Sequence, residues 1–154
     1  MHVTGITATQ MMGMRKKWLG MPREQMAREI MLPAHPEHYA TGPYDSDEEG
    51  VVEVIGEHVA RLKVKVTNDV PAWVMEYGDP AYPMKKPTVL QLYNGEILSY
   101  ILHEFRDTED GCDLILRLLL PEKAPNVFFT EHAEHLAIEF RSGVKSVYEE
   151  LYRA

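Results

Sequence analysis

The feature that most restricts how this chain can fold is its closing stretch, Thr130 to Tyr152, TEHAEHLAIEFRSGVKSVYEELY, the longest helix-like segment present. Ala133, Leu136, Ala137, Phe140, Val144, Val147, Tyr148 and Leu151 recur at steps of three, four and one, which is one apolar stripe of an amphipathic helix. That stripe has to be buried. Thr130 is placed to cap the start, Glu131 and Glu134 set negative charge near the positive end of the dipole, and Arg153 suits the last turn.

Before that stretch the periodicity is that of strands. VVEVIGE is followed by HVARLKVKVTN, in which Val59, Leu62, Val64 and Val66 nearly alternate with Arg61, Lys63 and Lys65, and Gly56-Glu57 forms a hairpin turn between the two runs. AWVMEY is a third candidate strand. TVLQLYN and EILSYILHEF flank Asn94-Gly95, the strongest hairpin signal in the chain, and CDLILRLLLP follows a turn at Asp110-Gly111. About six antiparallel strands, short helices and one long final helix make an α+β chain. The expected architecture is a curved antiparallel sheet gripping the C-terminal helix, the Bet v 1 or START-like helix-grip, with a pocket between sheet and helix. A cupin-like barrel is the alternative, and the long terminal helix suits it less.

Towards the N-terminus, TQMMGMRKKWL is a weakly helical run interrupted by Gly13, and residues 1–21 are expected as an N-terminal arm ahead of a single domain spanning 22–154. Such an arm can dock on a second chain, so a homodimer is one expected state. Pro22 and REQMAREIML predict a short helix that Pro33 and Pro36 end, followed by an irregular acidic loop through Tyr39 and Tyr44 to Gly50.

With 154 residues, 45% of them hydrophobic and 26% charged, the chain is long and apolar enough for one packed core. The balance of 16 Lys and Arg against 24 Asp and Glu leaves a net charge of −8, which argues against a phosphate-binding surface and so against nucleic acid as a partner. Cys112 is the only cysteine, which excludes an internal disulfide and a multi-cysteine zinc site. No apolar run approaches the roughly 18 residues of a membrane span and no signal-peptide core is present, so a cytoplasmic location without membrane contact is expected. Glycine-rich phosphate loops and Gly-x-Ser-x-Gly are absent, which leaves nucleotide binding and serine hydrolysis without support.

Chemistry concentrates in a few residues. His135 and Glu139 are four apart on the closing helix, so one divalent ion can reach both, although such a pair is more often a solvated face, and both lie off the centre of the apolar stripe. Glu53 shares a strand face with Val51 and Ile55, where an unpartnered buried carboxylate is costly, which makes it a ligand or a hydrogen-bonded acid unless that face is solvated. His103 alternates with Ile101 and Phe105 and lines the pocket or sits as a core histidine. His35 and His38, three apart, are further ligand candidates. Arg117 lies among leucines and needs an acidic partner, Glu104 or Asp113.

The run LHEFRDTEDGCDLILRLLLP, then HLAIEF and a closing YEELY, resembles the C-terminal part of the 2,4-diacetylphloroglucinol hydrolase and phloretin hydrolase family. The resemblance implies a Bet v 1-like fold and a zinc ion held by two His and two Glu, used to hydrolyse a carbon-carbon bond between an acyl group and a phenolic ring. By that resemblance His135 and Glu139 match the His-x-x-x-Glu of the last helix, Glu53 looks like the carboxylate ligand of an early strand and His103 like a pocket histidine. Where the family has His-Pro, this chain has Met21-Pro22, which leaves three ligands, a site completed by His35 or His38, or none. The expected function is therefore a metal-dependent hydrolase of a small aromatic or acyl compound, with zinc on Glu53, His135 and Glu139 and His103 moving a proton. The rival expectation is a non-enzymatic protein that binds a small apolar ligand.

Overall fold

The computed structural model describes residues 1–19, 21–41 and 49–153; Tyr44 and the acidic residues up to Glu48 lie outside the described residues. Seven strands, β1 (His2–Thr4), β2 (His38–Thr41), β3 (Glu49–Ile55), β4 (His58–Val66), β5 (Met84–Leu92), β6 (Ile97–Asp107) and β7 (Gly111–Leu119), form one sheet in the order β1-β7-β6-β5-β4-β3-β2, every pair antiparallel. It curls around the long helix α5 (Asn126–Tyr152) in a helix-grip arrangement of the α+β class. The turns at Gly56 and Gly95 form as expected, with φ of 59° and 88° that glycine adopts without steric cost.

The remaining helices are α1 (Ala8–Leu19), α2 (Arg23–Met26), α3 (Leu32–Ala34) and α4 (Ala72–Glu76), with a five-residue π segment, Ala27–Met31, joining α2 to α3. Three expectations are corrected. AWVMEY is helix α4 and not a strand: β4 pairs directly with β5, which leaves no ladder position for it, and Pro71 starts a single turn that plugs the convex face with Val74. The loop expected between the early helix and Gly50 contains β2, which pairs with β3. Helix α5 begins at Asn126 behind Pro125, so Thr130 does not cap it and instead bonds back to the Asn126 carbonyl at 3.4 Å.

Residues 2–19, read from the sequence as an arm, hold a strand and a helix packed into the body. Thr7 and Gln10 make a reciprocal capping box at the start of α1, with bonds of 2.8 and 3.1 Å. Ile6, Ala8, Met11 and Met14 then bury against Phe105, Leu114 and Val147. A second apolar group, Val51, Leu62, Leu90, Ile101 and Leu136, joins the concave sheet face to α5. Each such side chain contributes about 1.5–3 kcal/mol by leaving water. Between the two groups lies a cavity of about 180 Å³ walled by the sheet, the π segment and α5. On the convex side, Glu104 is fully buried, accepts the Asp79 N–H at 2.6 Å and pairs with Arg117, while Asp113 goes to Arg106 at 2.7 Å.

Gly111 opens β7, and a Cβ there would lie 2.0 Å from the Val3 carbonyl oxygen and 2.9 Å from Thr4 Cα, both backbone atoms of β1. Gly111→Ala therefore has to push β1 off its neighbour. Thermal or urea unfolding should show a loss of about 2–3 kcal/mol, and hydrogen exchange should show early exposure of residues 2–4; an unchanged midpoint contradicts the packing described.

Candidate metal centre

The backbone decides which side chains meet. In the β2–β3 ladder His38 stands directly opposite Glu53, so both project from the same face. Glu53 points inward with Val51 and Ile55, and helix α5 lowers His135 onto the pair. His38 Nε2, His135 Nε2 and one Glu53 carboxylate oxygen stand at the corners of a triangle whose three edges are each 3.3 Å. All three residues are buried, at 7%, 3% and 6% exposure.

The far side of each ring fixes its proton. His38 Nδ1 lies 2.6 Å from the Met31 carbonyl oxygen, in the last turns before the helix stops at Ala34, where carbonyls lose their helical donors. His135 Nδ1 lies 3.1 Å from Glu37 Oε2. Both partners are acceptors, so each Nδ1 carries hydrogen and donates, and each Nε2 presents a lone pair. Three acceptors thus converge on one buried point. Only a cation relieves that, either a proton or a metal ion.

The donor set fits zinc. A tetrahedral zinc ion with ligand bonds of about 2.0 Å places its ligand atoms about 3.3 Å apart, and two imidazoles with one carboxylate are a common catalytic set. The carboxylate or carbonyl behind each imidazole is the usual outer support of such ligands. His35, Glu37 and His135 form a second close group, but His35 Nδ1 accepts the Glu37 N–H at 3.0 Å, which occupies its lone pair. His35 instead stacks on the His135 ring at 3.9 Å and walls it in.

Protonation follows the same geometry. Burial opposes charge on His38, but its bonds to Glu53 and to the Met31 carbonyl outweigh this and raise its pKa. Burial opposes charge on His135 as well, and Glu53 and Glu37 overcome it. Glu53 is desolvated, yet the two histidines hold its carboxyl down at about 2.

Of the residues singled out in the sequence, Glu53 and His135 come together. Glu139 lines the same cavity one helical turn beyond His135, and its charge raises the basicity of both histidines, but it stands outside the set whose ligand atoms all lie within 4.8 Å of one another. His38 takes the third corner. His103 lines the cavity from β6, with Nδ1 3.3 Å from the Lys86 carbonyl oxygen and its ring 6.4 Å from that of Phe140. Met21, at the position where the resemblance has a ligand, is not among the residues that line the cavity. Glu37 was missed altogether, because nothing in HPEHY distinguishes an orienting carboxylate from a solvated one. No family model matches this sequence, and a search of curated proteins also gave no match.

These shifts set a pH dependence for chelator-treated protein. The raised histidines contribute stability that is complete below their ordinary value of 6.5 and is lost as pH climbs through their folded values. Glu53 contributes stability that is complete above its ordinary 4.5 and is lost as pH falls towards 2. Melting temperature without metal should therefore peak between about pH 4.5 and 6.5, whereas zinc affinity by calorimetry should rise as pH climbs above about 6.5 and protons leave the two raised histidines. A zinc affinity that does not change with pH contradicts the assignment.

Proposed function

We infer that the protein is a zinc-dependent hydrolase acting on a small aromatic acyl compound, of the kind in which a carbon-carbon bond joins an acyl group to a phenolic ring. The observation that carries the reading is the 3.3 Å triangle of His38, Glu53 and His135, with both imidazole protons fixed on the far side. A bound zinc ion with three protein ligands supplies a lowered pKa for water and polarisation of a carbonyl. His38, Glu53 and His135 would hold it. Glu37 and the Met31 carbonyl keep the two rings in register.

The adjoining cavity sets the substrate's size. At about 180 Å³ it is near the roughly 150 Å³ that accepts a benzene ring, so one ring with a short acyl group suits it. Its walls are mainly Met, Ile, Leu, Val and Phe, which exclude water from the reacting carbonyl. His103 Nδ1 donates to the Lys86 carbonyl oxygen, and Nε2 is the nitrogen assigned to proton exchange in this reading. In the reaction His103 Nε2 takes a proton from the water as its oxygen adds to the acyl carbon, and returns that proton to the ring carbon as the bond to the ring breaks, so a carboxylic acid and the free ring leave. The apolar walls also fit the second reading, a protein that binds a small apolar ligand without chemistry.

Protein purified without added metal should carry close to one zinc per chain. His135→Ala and Glu53→Gln should each abolish that content and lower acid release from a monoacylated trihydroxybenzene at least hundredfold. His103→Gln should keep the zinc and still lose about a hundredfold in turnover. Tight binding of the acyl compound with no acid formed, at full zinc, overturns the hydrolase and leaves the binding protein.

A further inference from the structure

The cavity holds two polar atoms that the metal reading does not use. His132, on the α5 turn before His135, is 2% exposed and lines the cavity. Its Nδ1 lies 3.1 Å from the Phe128 carbonyl oxygen one turn back, so that nitrogen carries the hydrogen and Nε2 is a lone-pair acceptor. Among the described residues no group meets Nε2. Thr88, on β5, is also 2% exposed, also lines the cavity, and its hydroxyl is likewise unmet.

An unpaired polar atom in a dry site is costly, and an apolar side chain of similar size would avoid the cost. Two of them in one cavity, beside the His38, Glu53 and His135 cluster, are explained by a ligand that brings the missing hydrogen bonds. Nε2 has no hydrogen to give, so the ligand group facing His132 must be a donor. Burial lowers the pKa of His132, which keeps the ring neutral and that lone pair available at neutral pH.

We propose that His132 Nε2 and Thr88 Oγ1 are the polar points of the cavity that orient its ligand, with His132 accepting a hydrogen bond from a hydroxyl on the ring. The assignment rests on the reading that this cavity takes a one-ring compound, but not on hydrolysis. His132 is a positioning residue. It selects a hydroxylated ring over one whose oxygen is capped.

Binding of phenol, anisole and benzene to chelator-treated protein, followed by calorimetry and by the ¹⁵N shift of the His132 ring, tests this. Wild type should bind phenol about tenfold more tightly than anisole, with the His132 Nε2 resonance moving only for phenol. His132→Leu should lose that preference while still binding benzene, which also reports an intact fold, and Thr88→Val should reduce the preference without reversing it. Equal binding of phenol and anisole by wild type overturns the proposal while the cavity reading stands. A preference that survives His132→Leu and vanishes in His135→Ala overturns it too, since the hydroxyl then sits on the metal cluster. Failure of all three compounds to bind removes the cavity reading and this assignment together.

Discussion

Three ligand atoms that face one another at 3.3 Å inside a protein are compatible when a proton or a metal ion sits between them, and the surrounding residues hold them in that arrangement. Each of the three side chains is constrained from behind. Met31 and Glu37 take the two Nδ1 hydrogens, His35 stacks against the His135 ring, and the antiparallel ladder sets His38 opposite Glu53. The cluster is a concentrated negative potential in a desolvated place, so it draws in a positive charge.

The order of elements explains why those supports lie where they do. The helical run from α2 through the π segment ends at Ala34, because Pro36 follows and His35 turns extended, with φ of −147°. That stop exposes the Met31 carbonyl and lets the chain return as β2 within four residues. One short stretch thus supplies a ligand, the acceptor behind it and the carboxylate behind its neighbour. Helix α5 delivers His132 and His135 from one face, so the candidate ion site and the polar end of the cavity share a single rigid carrier.

Much of the fold was legible because alternation and turn chemistry carried it. VVEVI, HVARLKVKV, TVLQL and ILSYILHEF are strands in the structure, with Gly56 and Asn94-Gly95 between them. Helix α5 was legible in existence but not in orientation. Ala133 and Ala137 counted towards the apolar stripe and are exposed, whereas His132 and His135, counted as polar, are buried. Hydrophobic periodicity cannot see a face whose buried members are imidazoles with partners elsewhere in the chain. The same limit hid the strand that carries His38, although the residue itself was a ligand candidate: a four-residue strand after two prolines and before an acidic run reads as loop, and its pairing with Glu53 is a tertiary fact. The capping box at Thr7 and Gln10 was present in the letters and marks the start of a helix more firmly than the weak apolar pattern that follows.

The chamber and the cluster share their walls. Met31 and α5 bound the cavity, and they also hold the acceptor of His38 and the ring of His135. Any guest wide enough to spread the helix from the π segment would stretch the triangle and slacken its grip on a cation. In the proposed reading, bulk in the guest would register as a distortion of coordination, and size discrimination would need no gate of its own.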